Sequence, residues 1–525
     1  MNMPVFEHTI CSLHSLVNNE AEPLQKISHL IKYDPGLYFS LLQDINSSTK
    51  RGEITSISQA ISLVGAAGIE NHILKQDHFL GEEYLLLWSY AAMAGEAAAR
   101  INDIVGIAEE EEAFFCGMMS CIGILLMARK HPAYTKILEV LLKLTLRDKI
   151  FIENRLFKTN QLEELNKTLV APELYKNLTV QLVEIFGDER KGEFIYPSKL
   201  SSAYKSFQLM QLMNISEVAA RVLLFPSVTE AQEKIRELAV RYFRIPETAM
   251  EELLAGILER FEDVCGEFNV ERLSRDIIEK AGSYSSFSGI TFLTKSDALT
   301  NALDSIFRAN NEGKNIFIYG EPGVGKRLLA IALHHRPDNP RLLKPFISVF
   351  CSALDNETLE IELFGAKGGF RGLDEHKGIL ELAHEGTVLL KDIDKIPLIQ
   401  QDRLEEVFCK DEFYKVGSMQ PAFFDVRFIM TSQKNIFEEA KNGMFSEKLL
   451  RVLKPLSICI PPLRERREDI EFIAGGIIQK YGLDLTDKAL LLGLREYYEN
   501  HAFPENLHDL KRLLFYLSVK HRLES

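Results

Sequence analysis

The sequence predicts a multidomain chain: an all-α unit over residues 1–280, a linker at 281–289, and an α/β unit from 290 onward. Three observations carry this. Through the first half, apolar residues recur at three- and four-residue spacing, as in Leu24, Ile27, Leu30 and Ile31. That is the period of a helix with one buried face. At 281–289 the run A-G-S-Y-S-S-F-S-G turns abruptly small and polar, the composition of a boundary. At 315–330, N-I-F-I-Y-G-E-P-G-V-G-K-R-L-L-A sets an apolar strand, a glycine-rich turn and a helical pattern in succession. A chain of 525 residues is also too long for a single core.

The third stretch carries chemistry. Gly320, Glu321, Pro322, Gly323, Val324, Gly325, Lys326 and Arg327 have the form of a phosphate-binding loop. The glycines let backbone N–H groups turn toward an anion, the following helix adds positive charge at its N-terminus, and Lys326 reaches terminal phosphates. The hydroxyl residue that normally follows the lysine as a magnesium ligand is Arg327. The motif argues phosphate binding more strongly than hydrolysis.

Composition bounds the rest. Hydrophobic residues make up 46% and charged residues 26%, and the formal charge is −14. That is a soluble balance and disfavours a protein that coats nucleic acid. Seven cysteines are scattered without C-x-x-C spacing, so neither a metal cluster nor a disulfide framework is expected. No signal peptide or membrane span is read, and the expected location is cytoplasmic.

Within the helical half, Asp34-Pro35-Gly36 reads as a helix end and restart, with Ser56 or Ser58 capping the next helix. The acids Glu109 to Glu112 read as a solvated first helical turn. The stretches L-I-K-Y-D-P-G-L-Y-F-S-L-L-Q-D-I-N-S-S (30–48) and I-T-S-I-S-Q-A-I-S-L-V-G (54–65) resemble the HDOD domain. That resemblance implies a helical bundle related to metal-dependent HD phosphohydrolases but lacking their ligands. Where the hydrolytic relatives need His-Asp this chain has Ser120-Cys121, and the position after Trp88 holds Tyr90. A hydroxyl and a neutral thiol cannot hold a water-activating metal. The half is read as a signalling or docking module with no metal.

From residue 290, P-F-I-S-V-F-C-S-A-L (345–354), E-L-F-G (362–365), G-G-F-R-G-L (368–373), E-G-T-V-L-L (385–390), D-V-R-F-I (425–429) and P-P-L-R-E-R-R-E-D-I (461–470) follow the loop. In order and spacing they resemble the AAA+ domain of sigma-54-dependent transcription activators. The resemblance implies a mostly parallel α/β core over 290–460 and a small helical lid over 461–525. It also implies ATP or ADP as ligand. Residue by residue, the working parts depart from the family. The metal acid and water-orienting acid fall at Lys391 and Asp392, or, one position along, at Asp392 and Ile393. Asp392 is therefore the one candidate acid. The family's switch Asn is Phe350, the first sensor is Ser432-Gln433, and the trans-acting arginines are Ser446 and Val452. Arg451 sits one position off, about 100° around a helix. The lid's sensor arginine is His508, and the sigma-54-contacting loop has Arg371 for its threonine.

The positions that build the fold and cradle phosphate are kept, and those that split ATP are changed. The expectation is a bacterial-type regulatory protein: an HDOD module joined to an AAA+ pseudo-ATPase that binds nucleotide with little dependence on magnesium. A slow sigma-54-type ATPase and a nucleotide-free scaffold stay open as alternatives. The expected partners are a regulatory protein of unknown identity and further copies of the chain. Contact with sigma-54, direct DNA binding and membrane association are not expected. No DNA-reading helix is read after the lid, and no receiver domain before the engine.

Overall fold

The computed structural model describes residues 3–17, 24–48, 54, 56–73, 75–79, 84–168, 204–268, 270, 292, 294–312, 314–351, 356–369, 375, 377–410, 412–483, 485, 498 and 501–524. The chain divides near residue 285 into two compact units, and residues 515–524 at its end group with the first. The predicted linker and residues 370–373 lie outside the described set.

The first unit is built on two long helices, α5 (Leu85–Val105) and α6 (Glu110–Lys130), with Tyr204–Leu224 packed across both. Alanines from Ala91 to Ala99 keep the buried side of α5 thin, and the Phe114 ring of α6 lies against Gly95 there. Helix α6 is long and apolar enough to cross a membrane, but it is a core helix of this unit.

The D-P-G motif has a physical role. Asp34 is fully buried and caps α3 (Pro35–Ser48), accepting the Leu37 N–H at 2.9 Å. Its other oxygen accepts the Phe6 N–H at 2.9 Å, which fastens strand β1 (Pro4–Phe6) to the helix. A Cβ on Gly36 would fall 1.8 Å from the Pro4 carbonyl, so only glycine admits this approach. Strand β1 pairs in parallel with β2 (Asp77–Phe79), the one sheet among the described residues of this unit. Ser56 caps α4 (Ile57–Ile73) through the Gln59 N–H at 3.3 Å.

The acidic run departs from the solvated turn expected of it. Glu111 accepts the hydroxyls of Ser56 and Ser58 and the Ser58 N–H at 3.2 Å, tying α6 to α4. Burial would raise its pKa, but these donors hold it below the usual carboxylate range. Glu112 is buried and pairs with Lys205 at 3.2 Å. A sequence cannot show that two serines fifty residues earlier face these acids.

In the second unit, five parallel strands lie in the order β4 (Phe346–Phe350), β5 (Thr387–Lys391), β8 (Arg427–Ser432), β3 (Ile316–Tyr319), β9 (Ser457–Cys459). Helices on their faces explain why the strands read as continuous apolar runs. Ile316, Ile318, Leu389, Ile429 and Ile458 pack against Leu329 and Leu333 of the helix Lys326–His334. A hairpin of β6 (Glu412–Tyr414) and β7 (Pro421–Phe423) stands apart from the main sheet. After β9 the chain turns helical, with Ile470–Tyr481 and Leu507–Glu524 the principal elements.

Candidate functional site

The loop from Gly320 to Gly325 joins the carboxyl end of β3 to the helix that Lys326 opens. All its carbonyls are taken. Lys326 Nζ donates to the carbonyls of Gly320 (2.6 Å) and Glu321 (2.8 Å). Asn506 Nδ2 donates to the Pro322 carbonyl at 2.9 Å, the Leu507 N–H to Gly323 at 3.1 Å, and buried Arg466 to Val324 at 2.7 Å. The Gly325 carbonyl accepts the Leu329 N–H at 2.9 Å. The N–H groups of Glu321, Gly323, Val324 and Gly325, by contrast, have no acceptor among the described residues. The helix that Lys326 opens adds the positive end of its dipole to the same loop. Carbonyls satisfied on one side and N–H groups left over on the other make an anion nest.

Residues after β9 clasp the loop. Arg464 pairs in two-pronged fashion with Glu321, and Asn506 Nδ2 reaches the same carboxylate at 3.4 Å. Asn506 Oδ1 accepts the Leu463 N–H at 2.6 Å. Gly323 has φ +74°, and a Cβ there would fall 2.1 Å from the Glu505 carbonyl. The His508 ring borders the same point at 3.0 Å. Burial pulls the Lys326 ammonium down to about 8, and the carboxylates of Asp392 and Asp394 pull the other way. Arg327 lies half-buried in the first turn.

Strand β5 resolves the two acid registers. It ends at Lys391, whose register partner on β4 is Phe350. The Lys391 ammonium lies 3.1 Å from the centroid of the Phe350 ring, and the side chain is only 7% exposed. Two departures read separately in the sequence are thus one contact, a cation on an aromatic face. Thr387, two pleats earlier, meets His334 of the loop helix at 3.0 Å, so Lys391 stands on the face that carries that helix.

Asp392 then turns the chain with φ +56° and ψ +49°. Gln433 Nε2 donates to both of its oxygens, at 3.2 and 3.3 Å. Asp394 follows, and its Oδ1 accepts the Ser432 hydroxyl at 2.7 Å. Burial raises the Asp392 carboxyl, and Asp394 adds to the rise. The sensor dipeptide Ser432-Gln433 therefore holds one acid with each side chain. Asp394 was not singled out in the sequence, although the spacing D-I-D offered the signal.

The positions expected for trans-acting arginines do other work. Ser446 caps the helix Glu447–Leu453 through the Leu449 N–H at 3.4 Å and donates to Asp402. Arg451 is 80% exposed and 3.9 Å from Glu447 on the same helix.

In the first unit, Tyr90, Ser120 and Cys121 adjoin a buried ion network. Glu217 accepts Tyr90 OH at 2.5 Å, Lys149 Nζ at 3.0 Å, and Arg221. Burial would raise Glu217, but Arg221 and Lys149 hold it down to about 2. Burial pushes the Cys121 thiol up to about 12. Among the described residues, no set of three His, Cys, Asp or Glu side chains is arranged to hold a metal ion.

Residues 3–170 match the HDOD domain, and residues 292–459 match the Sigma-54 interaction domain. The chain is 33% identical over 231 residues to the regulatory protein AtoC of Escherichia coli (strain K12), covering 42% of this chain and 49% of AtoC. It is 34% identical over 230 residues to an uncharacterized protein in the HyuA 5' region of Pseudomonas sp. (strain NS671), covering 42% of this chain and 76% of that protein. The chain belongs to the sigma-54 interaction domain family. It spans about half the length of the first curated relatives it matches, 49% of AtoC among them. A crystal structure of NtrX from Brucella abortus in complex with ATP aligns with a TM-score of 0.38 at 25% identity, over 49% of this chain and 58% of that one.

Placed on the sigma-54 interaction domain, the geometry divides in two. The phosphate loop presents the N–H groups of Glu321, Gly323, Val324 and Gly325, which have no acceptor among the described residues. Where the sequence departs from the family pattern, the Lys391 ammonium lies on the Phe350 ring and Ser446 donates to Asp402.

Proposed function

We propose that this protein is a transcription-regulatory, nucleotide-sensing protein of the sigma-54 type, in which ATP or ADP binding reports a state and hydrolysis is crippled. The observation that carries this is the loop. Its carbonyls from Gly320 to Gly325 are all occupied, while the N–H groups of Glu321, Gly323, Val324 and Gly325 have no acceptor among the described residues. Positions 327 and 391 offer magnesium no oxygen ligand. Ser446 and Val452 bring no charge to a transition state, where an arginine finger supplies a factor of about 10³–10⁵. The HDOD unit serves as a docking or signalling module, since its former metal position is filled by a thiol beside a closed ion network. With the activating machinery replaced, contact with sigma-54 and direct reading of DNA are not part of this reading. The partner is a regulatory protein or a second copy of the chain.

The test is binding and turnover on one preparation. ATP and ADP titrated into purified protein should bind, Lys326→Ala should abolish binding, and phosphate release should stay far below about one per second, the low end of ordinary enzyme rates. Absence of binding for both nucleotides would favour a scaffold, and turnover at ordinary rates would favour a working ATPase.

A further inference from the structure

Asp394 Oδ2 is a buried oxygen without a hydrogen-bond partner. Its side chain is 1% exposed, and the nearest cation is the neighbouring Lys395 at 4.0 Å. The other oxygen is fixed by Ser432, so the carboxylate cannot rotate to relieve the first. Leaving a buried charged oxygen unpaired is costly unless a partner arrives. The oxygen also has a direction. Ser432, whose hydroxyl holds Asp394, also accepts the Gly320 N–H on its carbonyl at 3.3 Å, which places Asp394 beside the phosphate loop. The left-handed turn at Asp392 brings two carboxylates, one residue apart, to the same end of the sheet.

We propose that Asp394, supported by Asp392, is the divalent-cation site of the nucleotide pocket, a metal acid moved three residues along from the position that Lys391 now fills. This rests on the reading that the loop binds nucleotide. Magnesium in nucleotide sites is held by one or two carboxylates together with phosphate oxygens and water, so no third protein ligand is required. Asp394 Oδ2 is the free acceptor that would take the ion directly. Asp392, gripped by the Gln433 amide, would accept from water on the ion. Lys391 keeps its charge on the Phe350 ring and acts on Asp392, which leaves Asp394 as the direct ligand. The cation neutralises the β- and γ-phosphates at binding. With Asp392 committed to the ion's shell, no carboxylate is left to orient an attacking water.

The experiment uses the full chain, ATP, and magnesium or manganese. Calorimetric titration of ATP in EDTA and in excess magnesium should show wild type binding at least about tenfold more tightly with the metal, a difference of about 1.4 kcal/mol. Asp394→Asn keeps an acceptor for Ser432 and should erase the magnesium gain, read as the ratio of affinities in magnesium and in EDTA for the same variant. Asp392→Asn should reduce the gain in part. Manganese resonance spectra with ATP should show a protein-bound ion in wild type and not in Asp394→Asn, with melting curves confirming that both are folded. Equal affinity with and without magnesium in wild type overturns the proposal and leaves nucleotide binding standing. A gain retained in both Asp variants overturns it equally. Failure of wild type to bind ATP in either condition overturns the underlying reading as well.

Discussion

Lys326 sets the first measurable consequence at the scale of single residues. Burial holds its ammonium at about 8 in the free protein. A bound phosphate raises that value, so binding takes up a proton and affinity falls as pH rises through about 8. ATP affinity should therefore drop about tenfold between pH 7 and pH 9, which titration of a fluorescent ATP analogue in matched buffers would show. A flat profile would mean that the lysine stays charged and that the carboxylates dominate burial. Gly323 supplies the second. Gly323→Ala meets both a positive φ and the Glu505 carbonyl at 2.1 Å, whereas Gly443→Ala at φ +70° has nothing within 4 Å. Both carry a backbone cost of about 1 kcal/mol. Only the first should also weaken ATP binding tenfold or more, because only the first pushes the clasp off the loop.

At the scale of elements, the clasp depends on Asn506, which bonds at once to Leu463, Pro322 and Glu321. Asn506→Ala leaves the Pro322 carbonyl and the Leu463 N–H unpaired. Hydrogen exchange over 320–325 and 461–470 should accelerate together in that variant, while the strands of the sheet keep their protection. Exchange rising in the loop alone would show that the two segments are not coupled through this side chain. The helices of the first unit meet at Glu217, and Glu217→Gln leaves Lys149 and Arg221 buried without a counter-charge. Loss of about 3–5 kcal/mol from the urea unfolding free energy is expected. A loss below about 1 kcal/mol would mean that water reaches the network.

At the scale of the whole molecule, two units imply two cooperative transitions. The small, polar run at 281–289 should be cut first by a dilute protease, releasing fragments of roughly 285 and 240 residues that each remain folded. First cleavage inside 345–430 would move the boundary. The N-terminal fragment should also bind manganese or iron below stoichiometry and leave phosphodiesters intact, as elemental analysis and a nuclease-free hydrolysis assay would record. Stoichiometric metal would require ligands other than Ser120, Cys121 and Tyr90.

The sequence by itself determined the strand–loop–helix at 315–330 and the helical first half, because each is written in local spacing. Periodicity and glycine placement are properties of neighbours along the chain, and burial only confirms them. Tertiary structure alone decided what the replacements do. Lys391 and Phe350 are 41 positions apart, and only parallel pairing of β4 with β5 puts the ammonium on the ring. Asp394 looks like one more surface acid until β8 brings Ser432 to one oxygen and leaves the other unpaired. The Pro322 and Gly323 carbonyls of the loop meet Asn506 and Leu507, and no local pattern foretells them. Charges and hydrogen bonds act over a few ångströms in space, so their meaning waits on which distant strands and helices the fold makes adjacent.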